Sequence, residues 1–168
     1  MPADGERYLI RNAVAADREI YARIWDAYCR FSEFAPSPRV TQTLWQRIVA
    51  PDAAVHALLA IERATGDAVG FANYVVHPTT WSERPACYLE DLFVRRGARR
   101  NGAGSALVEH AIALLHTERW ERLYWVTEKS NRRARRFYEK FCERDDFIRY
   151  VIENEAPRVR RASAANRP

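Results

Sequence analysis

Leu89–Val108, LEDLFVRRGARRNGAGSALV, begins with the apolar pattern of a strand and ends with that of a helix. Between the two lie Arg95, Arg96, Arg99 and Arg100, together with Gly97, Gly102 and Gly104. A strand that turns through such a stretch into a helix presents unpaired N–H groups at the positive end of a helix dipole, which makes an anion site. Two familiar phosphate motifs do not fit. Gly97 and Gly102 have the spacing of a P-loop, but Ala103-Gly104 stands where Lys-Ser/Thr is required, so the phosphate-gripping lysine is absent. A dinucleotide fingerprint would continue Gly102-x-Gly104-x-x-Gly, and its last place is taken by Leu107. Glu90 and Asp91 also need a reason for standing in an otherwise apolar strand.

Upstream of this stretch, ACYLEDLFV is the strand that feeds the turn. VHALLAIE and AVGFANYVVH are two strands around RATGD, a hairpin connection. RYLIRNAV is a first short strand. In AADREIYARIWDAYCRF, Ile20, Ile24, Trp25, Tyr28 and Phe31 recur at three- and four-residue steps, the stripe of an amphipathic helix opened by Asp17. EFAPSPRV reads as a proline-marked loop, and TQTLWQRIVA as a second short helix stopped by Pro51.

Downstream, Gly102 to His116 carries the helix stripe Ala103, Leu107, Ala111, Leu114 and Leu115. RLYWVT is a strand, SNRRARRFYEKF a helix capped by Ser130 or Asn131, and DFIRYVI a last strand. The order β-α-α-β-β-β-α-β-α-β describes an α+β chain with a mixed sheet. The strand ending at Val94 and the one beginning at Arg122 are joined through one helix, which makes them parallel with a right-handed crossover. Residues 1–153 read as a single domain. Residues 154–168 form a basic tail with almost nothing to bury, expected to be disordered.

The chain of 168 residues is 48% apolar and 29% charged, the balance of an ordinary soluble protein. No apolar run approaches the ~18 residues of a membrane span. MPADGERYLI has no cationic region followed by an apolar one, so no signal peptide is read and a cytoplasmic location is expected. Cys29, Cys87 and Cys142 are odd in number and far apart, which argues for inert thiols over disulfides. His56, His77, His110 and His116 show no ligand spacing, and no metal is expected. The net charge of +5 is concentrated in arginine clusters, which attract the phosphates of nucleic acid, anionic lipid or a cofactor. Without RNP, zinc or helix-turn-helix signals, nucleic acid is the weaker reading.

Arg99-x-x-Gly102-x-Gly104, preceded by YLEDLFV and followed by WVTEKSNRRARRFYEK, resembles the signature of the GNAT acetyltransferase superfamily over roughly residues 6 to 152. YLEDLFV and YWVTEKSNRRARRFYEK are most similar to the branch that acts on polyamines and on histone-type lysines. FCERDDF departs from the family's usual Gly-Phe after the last helix, which touches the entry into the final strand. The resemblance implies a GNAT fold whose two parallel strands splay to admit acetyl-CoA. It implies that the amides of Asn101, Gly102, Ala103, Gly104 and Ser105 receive the pyrophosphate, with Arg99 and Arg100 adding charge. It further implies that Leu92, Phe93 and Val94 lie along the pantetheine arm, and that Asn131 bonds it, an alternative to Asn131 as a plain helix cap. The branch often forms dimers, so a homodimer is an expectation.

The resemblance assigns Glu90 as general base, directly or through water, and Tyr138 as general acid. Strict strand alternation groups Tyr88, Glu90, Leu92 and Val94 against Leu89, Asp91 and Phe93, a pattern that a bulge, common here in the family, would reset. Asp91 is the reserve base, and an arginine-paired structural role is the alternative for Glu90. Asp26, Glu33, Glu83 and Glu128 are candidate contacts for a cationic acceptor, with Trp25, Trp45, Trp81 and Tyr74 as aromatic walls. The expected activity is direct N-acetyl transfer from acetyl-CoA to a polyamine or lysine-type amine. Another small amine, such as an amino acid or aminoglycoside, or a non-catalytic acyl-CoA-binding module, remain as alternatives.

Overall fold

A computed structural model describes residues 7–154, so the tail beyond residue 154 lies outside the described residues. Five strands form one sheet in the order β1-β2-β3-β4-β5: β1 (Tyr8–Asn12), β2 (Val55–Glu62), β3 (Ala68–His77), β4 (Ala86–Val94) and β5 (Leu123–Tyr124). The first four are antiparallel neighbours, and β5 runs parallel to β4. The helices are α1 (Arg18–Ser32), α2 (Pro38–Ile48), α3 (Ala103–Thr117) and α4 (Arg132–Tyr138).

Period-two alternation in the central strands gives the sheet two apolar faces. Leu58, Ala60, Ala72, Tyr74, Cys87 and Leu89 meet Leu107 and Ala111 of α3. Leu59, Ile61, Phe71 and Phe93 meet Tyr21, Ile24 and Trp25 of α1 and Ile48 of α2. The result is three layers, helix on sheet on helix. Gly70 of β3 has a local reason: a Cβ there would stand 2.8 Å from the Phe93 carbonyl, so the close β3–β4 approach requires glycine.

Three expectations are corrected. The second helix begins at Pro38, within the stretch read as a loop: Ser37 accepts from the Val40 amide and Pro38 fills a first-turn position that needs no donor. The strand over RLYWVT keeps only Leu123 and Tyr124 in the ladder, because the chain then diverges from β4. DFIRYVI forms no strand: residues 146–152 are exposed and outside the sheet, since apolar alternation makes a strand only where a neighbour supplies the ladder. No disulfide links the cysteines; burial raises Cys29 to about 11 and Cys87 to about 12, while Cys142 is exposed.

Candidate active site

β4 and β5 touch only at Cys87–Leu123 and Tyr88–Tyr124. Beyond these pairs the edge of β4 has no ladder partner on that side among the described residues. At the far end of β4, a short 3₁₀ turn over Arg96–Ala98 leads through Arg100 (φ +66°) and Gly102 (φ +86°) into α3. These left-handed residues fold the chain back sharply, and glycine takes that conformation without strain. The first bond within α3 runs from the Ala106 amide to the Gly102 carbonyl, and no side chain caps the helix. The amides of Ala103, Gly104 and Ser105 therefore open onto the turn at the positive end of a fifteen-residue helix. Unpaired amides at a helix start attract an anion.

Gly104 lies at the hinge of this arrangement. A Cβ there would rest 3.5 Å from the Phe137 ring and 3.7 Å from Val94 Cγ2, so this backbone approaches α4 and β4 together. Arg99 is held at the turn's edge. Its Nε donates to the Val94 carbonyl at 2.8 Å, and its guanidinium lies 4.5 Å above the Phe31 ring. Burial, then Arg133 and Arg96, lower its pKa from the ordinary value. Arg99 thus ties the end of β4 to α1, while Arg100 is exposed.

The carboxylates are sorted by a bulge. Asn73 pairs with Asp91 and Tyr74 with Leu89, which leaves Glu90 as the extra residue of β4. Strict alternation is therefore broken between Leu89 and Asp91. Leu89 shares the α3 face with Leu92 and Val94, whereas Asp91 and Phe93 face α1. Glu90 is exposed at the break. Asp91 accepts from the Tyr28 hydroxyl at 2.7 Å and from Asn73 Nδ2 at 3.1 Å, and Asn73 Oδ1 accepts from Tyr21 at 3.0 Å. Asp91 makes no ion pair among the described residues.

This chain of polar groups was missed from the sequence. Its one signal was Asn73, a lone amide in a run of otherwise buried apolar residues. A buried amide implies partners that satisfy it.

Tyr138 closes α4. Its ring packs 5.2 Å from Trp125, and burial raises its pKa. The hydroxyl therefore keeps its proton at neutral pH. Asn131 caps α4, its Oδ1 accepting from the Ala134 amide at 3.0 Å.

The expected acceptor contacts separate. Asp26, Glu33 and Trp25 line one cleft of about 640 Å³ beside the α1–α2 connection, with Asp26 ion-paired to Arg30. Glu83 lines a different hollow beyond β3, and Glu128 accepts from the Ser130 hydroxyl. Tyr74 belongs to the α3-side core and bonds Asn12, so it walls no acceptor. Trp81 is 90% exposed. No three His, Cys, Asp or Glu side chains among the described residues converge as metal ligands, and no described helix is long and apolar enough to cross a membrane.

Comparison with known proteins agrees with this architecture. The model of the acetyltransferase (GNAT) family matches residues 18–143. A D-amino-acid N-acetyltransferase of Saccharomyces cerevisiae is 31% identical over 145 residues, covering 86% of this chain and 90% of the relative. Among solved structures, a ribosomal-protein-alanine N-acetyltransferase from Brucella melitensis biovar Abortus 2308 superposes with a TM-score of 0.73 at 22% identity, covering 88% of this chain and 99% of that one. An aminoglycoside acetyltransferase from an uncultured soil metagenomic sample gives 0.69 at 18% identity, covering 90% and 100%. Those two likenesses show the fold, and the family match extends it to the chemistry. The chain belongs to the GNAT family and is an N-acetyltransferase that uses acetyl-CoA as co-substrate.

Proposed function

We propose that the acceptor is a primary amine on a small polycation or a lysine side chain, and that it attacks the thioester directly. The observation that carries this reading is the pair of neighbouring carboxylates at the β4 bulge. Glu90 is exposed there, and Asp91 is held by two neutral donors and makes no ion pair among the described residues. An ammonium is the charge that two neighbouring carboxylates attract.

Acetyl-CoA brings an activated acetyl group and a thiolate leaving group. The chain's own task is to move two protons. An amine of pKa ~10.4 is neutral in only about one molecule of a few thousand at pH 7, so a base at the point of attack is needed. Glu90 takes that proton, directly or through water. Tyr138, protonated because burial disfavours the phenolate, gives one to the departing sulfur. The amides from Asn101 to Ser105 hold the pyrophosphate, with charge from Arg100 and the part of Arg99 left free by Val94. Leu92, Phe93 and Val94 flank the pantetheine, and the amide nitrogen of Asn131 is available to it. A cytoplasmic homodimer is the form this reading takes.

The D-amino-acid activity of the yeast relative favours a second acceptor class. That acceptor needs a cation for its carboxylate, and the arginine at the α1 cleft, Arg30, is already paired with Asp26. Release of free thiol from acetyl-CoA, followed over polyamines, lysine peptides, D- and L-amino acids and aminoglycosides, tests the ranking. Polyamines or lysine peptides should show the highest kcat/KM. Turnover confined to amino acids would overturn it.

A further inference from the structure

Opposite the two adjacent carboxylates of β4 stands a single amide, Asn73, only 3% exposed. On one side of it the ladder runs Ala72 with Leu92 and Phe71 with Phe93. On the other it runs Tyr74 with Leu89 and Val75 with Tyr88. These two runs leave Glu90 and Asp91 to share one place opposite Asn73, as two residues do at a bulge. Either carboxylate can take that place while its neighbour becomes the extra residue, and no other pair of the ladder changes. The backbone pairing therefore does not choose between them.

The α1 face does. Asp91 accepts there from Asn73 Nδ2 at 3.1 Å and from the Tyr28 hydroxyl at 2.7 Å. The hydroxyl of Tyr21, itself 2% exposed, donates to Asn73 Oδ1 at 3.0 Å, which turns the amide's donor end towards the carboxylate. The Tyr28 ring lies 5.5 Å from Phe71 and 5.6 Å from Phe93, so its hydroxyl is set by packing. Glutamate in the same place carries one more methylene towards a hydroxyl that packing holds still. The pocket is cut for the shorter acid.

We infer that Tyr28 and Asn73 are positioning residues: they hold Asp91 in the ladder so that Glu90 is the carboxylate that projects. The catalytic consequence rests on Glu90 as the base of the proposed function; the choice of register does not. With the bulge moved by one residue, Glu90 would turn in to face α1 and Asp91 would project in its stead. Leu92, Phe93 and Val94 would keep their partners, so the co-substrate end of the strand would be unaltered. The rate then follows the fraction of molecules with the bulge at Glu90. A hydrogen bond to a charged group shifts such an equilibrium by a factor of about ten or more.

Tyr28→Phe keeps the ring against Phe71 and Phe93 and deletes one hydroxyl. Turnover at pH 7 should fall about tenfold with the KM for acetyl-CoA unchanged. The loss should recover only towards about pH 10, where the amine arrives neutral. Tyr28→Phe combined with Glu90→Gln should be as slow as Glu90→Gln alone, because a base that is absent cannot be misplaced. A general loss of structure would instead multiply the two deficits. The register is read without catalysis in a crystal structure of Asp91→Ala, where Glu90 should stand opposite Asn73 with residue 91 as the extra one. Full turnover of Tyr28→Phe, or multiplied deficits in the double variant, overturns the positioning role. A bulge still at Glu90 in Asp91→Ala overturns the choice of register by the α1 face. Wild-type turnover of Glu90→Gln overturns the base assignment instead, and the crystal structure then decides the register by itself.

Discussion

Where β4 ends, the candidate site is made of main chain: the amides of the first turn of α3, the left-handed Gly102, and Gly104 against Phe137 and Val94. At the bulge and at the end of α4 the candidate groups are side chains instead: Glu90, Asp91 with Tyr28 and Asn73, and Tyr138 against Trp125. Main chain carries no acid or base, so under the proposed function the first region binds the shared co-substrate and performs no chemistry. Side chains can be exchanged without altering the fold, so under the same proposal the second region holds both the proton transfers and the choice of acceptor. Binding and chemistry should therefore separate cleanly under mutation.

The largest expected effect is at the bulge. Glu90→Gln keeps the shape and removes the base, and turnover at pH 7 should fall about 10³-fold while acetyl-CoA affinity stays within a factor of two. The lost rate should return about tenfold per pH unit as the solution approaches the pKa of the amine, because the acceptor then arrives neutral. Stopped-flow rates from pH 7 to 10 measure this. A flat deficit across that range would assign the base elsewhere, with Asp91 next in line.

A smaller loss, about 10²-fold, is expected for Tyr138→Phe, which deletes only the proposed acid's hydroxyl. Its sign with pH differs. Burial raises the Tyr138 pKa, so the wild-type acid is protonated below that raised value and is lost only as pH rises through it. The variant should therefore show no alkaline rescue. If Tyr138→Phe and Glu90→Gln recover in parallel, the two residues do not divide the acid and base roles as proposed.

The same contrast explains what the sequence disclosed. The turn was legible from its residues, a glycine at the left-handed Gly102 amid a cluster of arginines, although Arg100 is left-handed too and no residue type announced that. β2, β3 and β4 were legible because each is a largely apolar run between turn residues, broken only by single polar groups such as Asn73 and by the Glu90–Asp91 pair. The bulge was not. Nothing in LED marks Glu90 as the extra residue; the shift exists because Asn73 pairs with Asp91 while Tyr74 pairs with Leu89, a relation between segments far apart in the chain. The Tyr28–Asp91–Asn73–Tyr21 chain was hidden for the same reason. FIRYVI misled in the opposite sense, since its alternation is strand-like but the sheet offers it no neighbour. Pro38 was read as a loop residue, although proline at the start of a helix costs nothing there.

The smallest effect sharpens the comparison most, because it is graded at one position. A methyl on Gly104 meets Phe137 at 3.5 Å and Val94 at 3.7 Å, ordinary contact distances, and the residue is not in the left-handed region. Gly104→Ala should therefore fold normally and bind acetyl-CoA within about threefold of wild type. Gly104→Val adds branches that must displace the Phe137 ring or crowd the turn, and should weaken acetyl-CoA about tenfold, some 1.4 kcal/mol. In either variant the turnover of bound acetyl-CoA should stay near normal, since neither touches Glu90 or Tyr138. Calorimetry against single-turnover rates separates the two quantities. If Gly104→Val lowered the single-turnover rate as far as Tyr138→Phe while acetyl-CoA bound normally, Phe137 would be transmitting the change to Tyr138, and the main-chain and side-chain walls would act as one unit.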